Sequence, residues 1–211
     1  MPLRVPADST ILFQGDSITD TSRRTQPGDG LGNGYVRMAA DLMRERPQPC
    51  ELTFLNRGVS GNRVADLVAR WDEDTIALKP ALVSVLIGVN DTWRRYDSGE
   101  VTTTADYERD YRGLLSRVRD ELGARILLVE PFLVPVEEEQ WDWREDLDPR
   151  IQVVRRLAEE FDAALLPADG LLNQAAREHG GAPAVAGDGV HPTPLGHAVL
   201  ARAWAGLVET A

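Results

Sequence analysis

The chain has 211 residues, one cysteine, three histidines and a formal net charge of −11, from 34 acidic and 23 basic side chains. That length suits one domain, residues 1–211, able to bury a large core without staples; the lone Cys50 excludes an internal disulfide and, with no Cys/His ligand spacing, a structural zinc. The acidity argues against a nucleic-acid partner, which calls for a basic surface, and by itself names no substrate.

The first ten residues hold no long apolar stretch, and the longest apolar run, 81–89, is far too short to span a bilayer. The expectation is a soluble, cytoplasmic protein with no membrane partner. From residue 9 onward, short β-rich runs alternate with helical patterns. The first run, 9–14, breaks at Gly15 and delivers Asp16 and Ser17 just beyond its carboxyl end. Residues 19–34 are rich in turn formers, and 35–46 carry apolar residues at helical spacing. A second strand, 51–56, leads into Asn56-Arg57-Gly58-Val59-Ser60-Gly61-Asn62-Arg63 and a helix over 63–79. The third strand, 81–87, leads into Gly88-Val89-Asn90-Asp91-Thr92-Trp93. A helix over 104–122, a strand over 125–130 and a long connection over 131–149 follow. That connection holds prolines, an acidic run, Trp141 and Trp143. The pattern closes with a helix over 149–162, a strand over 163–168, and Asp188-Gly189-Val190-His191 ahead of a last helix. Thr193 is positioned to cap that helix, with Pro194 as its first residue.

Such β–α alternation predicts an α/β fold: a three-layer α/β/α sandwich around a five-stranded parallel sheet, resembling the flavodoxin-like class. In such sheets ligands bind beyond the carboxyl ends of the strands, where Ser17, Asn90 and both long connections fall. Long ordered loops in a compact fold tend to be functional.

Ser and Asp directly after a strand are also N-cap residues, so the fragment alone favours a cap for Ser17 over a nucleophile. The rest of the chain holds the parts acyl transfer needs. His191 is a base, Asp188 three residues before it can orient the imidazole, Asn90 is an uncharged double donor, and Gly61 offers a backbone N–H. Each also has a plain structural reading, as turn, cap or loop residue. Their coincidence at successive strand ends favours the catalytic one.

Taken in order, Ser17 in Gly15-Asp16-Ser17-Ile18-Thr19, Gly61 in Ser60-Gly61-Asn62, Asn90 in Gly88-Val89-Asn90-Asp91, and His191 with Asp188 resemble the four blocks of the SGNH (GDSL-type) hydrolases. The resemblance implies a serine esterase with a Ser17–His191–Asp188 triad, and an oxyanion hole from Ser17, Gly61 and Asn90. No cofactor is expected, and the absence of a Cys/His/carboxylate cluster at ligand spacing points to no metal. Gly58 is the nearest rival to Gly61, but the register of the second block favours Gly61.

Longer phrases, among them 56–62, 67–80 and 84–97, look like the intracellular acetyl-xylooligosaccharide esterases of that superfamily. This narrower likeness implies a small-molecule ester substrate, an O-acetylated sugar, and a homo-oligomer. One departure stands out: such relatives can carry an aromatic residue directly before the aspartate, where this chain has Gly187. Two further residues are candidate substrate contacts. Trp93 would wall a pocket, and Asp16 would touch substrate if it does not cap the helix. Trp141 and Trp143 would line the rim or an intersubunit contact. His179 and His197 read as structural. The signature G-x-S-x-G is absent, and Gly28, Gly30, Gly32 and Gly34 do not form a phosphate-binding loop. Two other functions stay open: a lysophospholipase, thioesterase or general short-acyl esterase with the same machinery, and a non-catalytic flavodoxin-like binding domain.

Overall fold

The computed structural model describes residues 2–25, 28–47 and 51–210; Cys50 lies outside them. Its elements begin with β1 (Leu3–Val5), β2 (Thr10–Gly15), α1 (Ser17–Asp20), α2 (Tyr35–Arg44), β3 (Thr53–Asn56), α3 (Val64–Asp74), β4 (Leu82–Leu86) and α4 (Val89–Asp97). They continue with α5 (Thr104–Arg117), β5 (Arg125–Val129), α6 (Arg144–Glu160), β6 (Ala164–Leu166), α7 (Ala168–Glu178), α8 (Ala182–Val185), α9 (Pro194–Gly206) and β7 (Val208–Thr210).

Five strands form one parallel sheet in the order β3-β2-β4-β5-β6. Side chains of a strand alternate between faces. Ile11 and Phe13 therefore join a cluster with α2, α7 and α9, while Leu12 joins another with α3, α5 and α6. β4 and β5 divide the same way: Leu82, Leu86, Leu127 and Val129 pack on the first side, and Val83, Val85, Ile126 and Leu128 on the second. Strands buried on both faces explain why the sequence shows continuous apolar runs rather than alternation. Where a polar residue interrupts, it is paired, as Ser84 is by the indole N–H of Trp204 at 2.9 Å.

The chain leaves β2 for β3 on one side, then crosses back to β4 on the other. This is the reversal of strand order at which α/β sheets open a crevice. Gly15 closes the approach: a Cβ there would stand 2.4 Å from both the Leu86 carbonyl oxygen and Thr19 Oγ1.

Four features depart from the sequence pattern. β1 and β7 pair with each other as a separate parallel ribbon of three residues each. α7 starts at Ala168, the last residue of the expected 163–168 strand, and runs through a stretch in which the sequence delimited no helix. Residues after Gly88 continue directly as α4. Finally, α6 starts at Arg144, so Pro149 is its sixth residue and not its first. The ring forfeits one backbone hydrogen bond there, while the opening turn is held by a fork from Arg144 Nη1 and Nη2 to Asp169 at 2.7 and 2.9 Å. Among the described residues no helix is long and apolar enough to cross a membrane.

Candidate active site

Ser17 opens α1 at the carboxyl end of β2, and Asp16, not Ser17, is the N-cap: Asp16 Oδ1 accepts from the Ile18 N–H at 3.0 Å. The Ser17 hydroxyl is thereby left free, and its Oγ lies 2.9 Å from His191 Nε2. His191 Nδ1 lies 2.7 Å from Asp188 Oδ2. The other oxygen, Asp188 Oδ1, accepts from the backbone N–H groups of His191 at 2.7 Å and Val190 at 3.0 Å. With one oxygen held by the backbone, the other is aimed at the ring. Burial alone would raise the Asp188 carboxyl, but its hydrogen bonds from His191 and Val190 and the nearby imidazole outweigh that and hold it below the usual carboxylate range.

The loop presenting this pair is closed by a bridge between Ala186 and Pro192. Thr193 caps α9 as its sequence suggested, accepting from the Gly196 N–H, and Pro194 follows at the first helical position.

Opposite, Val59 to Asn62 form a tight turn in which the Asn62 N–H donates to the Val59 carbonyl at 3.1 Å. Gly61 has φ +81°, and Ser60 is not among the positive-φ residues. That combination is a type II turn, whose third position favours glycine. Neither the Gly61 nor the Ser17 backbone N–H donates to a protein acceptor among the described residues. Asn90, the second residue of α4, is buried, and its Nδ2 donates to the Asn62 carbonyl at 3.0 Å. An amide nitrogen carries two hydrogens, so a second N–H remains. Gly58 is excluded as the donor. Its N–H is taken by Asn56 Oδ1 at 2.8 Å, and a Cβ on it would stand 2.4 Å from the Asp20 nitrogen. It is a packing glycine.

Residues 13–199 match the GDSL-like lipase/acylhydrolase family. The chain belongs to that family. As a GDSL-family protein it is a carboxylic ester hydrolase, and the non-catalytic binding domain falls away. It is 36% identical to an acetylxylan esterase of Geobacillus stearothermophilus over 210 residues, 96% of this chain and 94% of that one. A crystal structure of that esterase superposes with a TM-score of 0.86 at 35% identity, covering 95% of this chain and 94% of the other. A protein of Parabacteroides merdae described as a GDSL-like lipase superposes with a TM-score of 0.90 at 34% identity, covering 98% and 100%. Structures of the Geobacillus enzyme, also described as an acetyl-xylooligosaccharide esterase, include catalytic mutants with an aspartate, a histidine or a serine replaced by alanine.

Around Ser17, Trp93 is half-buried on α4 with its ring 5.9 Å from that of His191. Trp143 from the long connection packs 5.5 Å from Trp93 and stacks on Tyr96 at 5.5 Å. The sequence placed Trp143 at a rim or an intersubunit contact; it continues the aromatic wall behind the histidine. Trp141 points away from the core, 57% exposed. Gly187 is exposed, and a Cβ there would meet nothing within 4 Å. The space a larger residue would fill beside Asp188 is open.

One candidate substrate contact is corrected. Asp16 is fully buried, so it caps α1 from beneath the serine and presents no face to a ligand. Burial pushes its carboxyl up to about 7, with Asp91 adding to the rise and His191 opposing it. Its Oδ2 has no hydrogen-bond partner among the described residues. His197 is structural, as its position on α9 suggested: its Nδ1 accepts from the Tyr35 N–H at 3.1 Å and so caps α2 from a neighbouring helix. Burial, with His191 nearby, pulls it down to about 4. His179 ends α7 on the surface.

Sequence reasoning missed the supports. Gln140 Nε2 donates to the Asp188 carbonyl at 2.7 Å while its Oε1 accepts from Val136 and Glu137, which ties the long connection to the histidine loop. Asn56 holds the 19–34 segment by donating to the Thr19 and Leu31 carbonyls. The available signal was weak: Asn56 ends a strand and Gln140 follows an acidic run, and the partners that matter, Thr19 and Leu31 for one and Asp188 for the other, lie far along the chain. Among the described residues no group of three or more His, Cys, Asp or Glu is placed to hold a metal ion.

Proposed function

We propose that this esterase removes O-acetyl groups from xylo-oligosaccharides or related sugars by a Ser17–His191–Asp188 triad. The observation that carries the reading is the continuous hydrogen-bonded line from Ser17 Oγ through the His191 ring to Asp188 Oδ2, at 2.9 and 2.7 Å. His191 Nε2 takes the Ser17 proton as Oγ attacks the acyl carbon, and Asp188 holds the tautomer and stabilises the imidazolium. The negative oxygen that forms is received by the N–H groups of Ser17 and Gly61 and by the second N–H of Asn90 Nδ2. Such a donor is worth about 3 kcal/mol of barrier. His191 then returns the proton to the leaving sugar oxygen, and water repeats the sequence on the acetyl-enzyme.

Acetyl specificity on a sugar is supported by the likeness to the Geobacillus enzyme and by the surroundings of the serine. An open site with an aromatic wall offers a flat face to a sugar ring and little enclosed apolar surface to a long acyl chain. Each further methylene would gain about 0.8 kcal/mol only where such surface exists. The reading extends to a homo-oligomer working in the cytoplasm, on the strength of the resemblance.

The test is acetate release from acetylated xylo-oligosaccharides alongside acetyl, butyryl and octanoyl p-nitrophenyl esters, for the native chain and Ser17→Ala. Expected are kcat/KM falling with acyl length, acetylated sugars turned over faster than p-nitrophenyl acetate, and a loss of several orders of magnitude in the folded variant. Octanoyl or lysophospholipid substrates winning would replace the deacetylase with a lipid-type esterase. A folded, active Ser17→Ala would overturn the triad.

A further inference from the structure

The three groups assigned to the developing oxyanion come from three separate segments: Ser17 after β2, Gly61 in the turn after β3, and Asn90 at the start of α4. Their usefulness depends on relative position, since a displacement of about 1 Å can cost on the order of 100-fold in rate. Loops do not hold such tolerances unless something ties them together.

Arg70, two turns into α3, stands where those ties meet. Its Nε donates to Asn62 Oδ1 at 2.8 Å, inside the residue that follows Gly61. Its Nη2 donates to the Gly15 carbonyl at 3.3 Å, two residues before Ser17, and that carbonyl also accepts from the Val59 N–H at 3.0 Å. Its Nη1 donates to Gln14 Oε1 and to Asp74 Oδ2, both at 2.9 Å. Gln14 is itself fully buried and anchored, donating to the Asp74 carbonyl and to Thr75 Oγ1, each at 2.8 Å. The third segment is reached through Asn62, whose carbonyl accepts from Asn90 Nδ2 at 3.0 Å. The far end of the turn is fixed independently. Asp66 Oδ2 accepts from the Arg63 N–H at 2.8 Å, and Asp91 Oδ2 accepts from the Val64 N–H at 3.2 Å.

We infer that Arg70 is a positioning residue for the ester hydrolysis, its guanidinium setting the Gly61 turn and Asn90 in register with Ser17. The inference rests on the proposed oxyanion hole and goes beyond it. A simple ion pair with Asp74 would use one nitrogen; here all three donate, two of them toward the segments that carry Ser17 and Gly61. A planar fork fits that demand. A lysine ammonium is a single point and cannot reach acceptors on three sides at once.

The test uses Arg70→Lys, which keeps the charge beside Asp74, and Asn62→Ala, which removes the acceptor on the active-site side. Steady-state hydrolysis of p-nitrophenyl acetate, binding of methylboronic acid as a tetrahedral adduct of Ser17, and the melting temperature are measured for each. Expected is a fall in kcat of roughly 10- to 100-fold with KM within about twofold, matched by a similar loss of boronate affinity. Arg70→Met, with no donor at all, is expected to lose at least as much as Arg70→Lys if it folds. The inference is overturned if Arg70→Lys and Asn62→Ala keep native kcat and boronate affinity while only the melting temperature falls. It is equally overturned if KM alone rises. Native activity in Ser17→Ala would instead sink the underlying esterase site, so the two failures are told apart.

Discussion

Two neighbouring glycines separate structural from catalytic need, and alanine at each gives opposite signatures. At Gly61 a new Cβ has room, its nearest neighbour being Arg94 Nη2 at 3.9 Å, so the whole cost is conformational. A φ of +81° is strained for alanine by about 1–2 kcal/mol. The turn relieves that strain by exchanging type II for type I, which rotates the peptide between residues 60 and 61. The N–H of that peptide belongs to Gly61, so relief of strain turns the donor away and brings the Ser60 carbonyl toward the hole. Gly61→Ala is therefore expected to lose about 3 kcal/mol of transition-state stabilisation, roughly 100-fold in kcat, for a melting-temperature loss of about 2–8 °C. At Gly58 the added carbon stands 2.4 Å from the Asp20 nitrogen and 2.8 Å from the Thr19 carbonyl carbon, both backbone of α1. Gly58→Ala is expected to lose about 3 kcal/mol or more of stability, a melting-temperature drop larger than that of Gly61→Ala. Thermal unfolding by circular dichroism and p-nitrophenyl acetate kinetics read both quantities. Native kcat in Gly61→Ala would refute its place in the oxyanion hole, and so would the larger kcat loss per degree of melting appearing at position 58.

Two other outcomes follow from the surroundings of the serine. Asp16→Asn keeps the acceptor for the Ile18 N–H but removes a buried carboxyl raised to about 7, which makes the native chain lose stability as pH climbs from about 4 to 7. The variant should therefore gain several degrees of melting temperature relative to native above pH 7 and lose that gain near pH 4, and a pH-independent difference between the two melting curves would contradict it. Trp93→Ala should lower kcat/KM for acetyl esters by roughly threefold to tenfold, the worth of an aromatic contact beside the His191 ring, with Trp93→Phe recovering most of it; unchanged kcat/KM in Trp93→Ala would remove the residue from the site.

What the sequence displayed and what it hid divide along a physical line. The central strands β2, β4 and β5 showed because they are buried on both faces and so are largely apolar. β1 and β7, three residues each, pair only with each other and are too short to show a period. The start of α6 was obscured by Pro149, which reads as a first helical residue; the fork from Arg144 to Asp169 that holds the preceding turn joins positions 25 residues apart and leaves no local trace. Asp16 shows the same limit at short range. Capping and substrate contact both ask for a carboxylate after a strand, and only burial separates them.

The site divides likewise. Ser17, Gly61, Asn90, Asp188 and His191 were legible because the proposed chemistry restricts the residue type at each place: a hydroxyl, a backbone free to take positive φ, an uncharged donor, a carboxylate and an imidazole. Asp188 and His191 share one loop, so their partnership also appears as a spacing. The residues that aim them face no such restriction. Gln140 reaches Asp188 across 48 positions, and Arg70 reaches Gln14 and Gly15 across 56 and 55. Nothing near Gln140 in the chain foretells a histidine loop, and nothing near Arg70 foretells a serine. The planar fork of Arg70 and the paired donor and acceptor of Gln140 match partners far along the chain, so residue type at these positions carries little information until the fold brings those partners together. The proposed function is therefore read first from the groups assigned to react, whereas the residues that hold their loops, such as Arg70 and Gln140, are connected to them only by the folded arrangement.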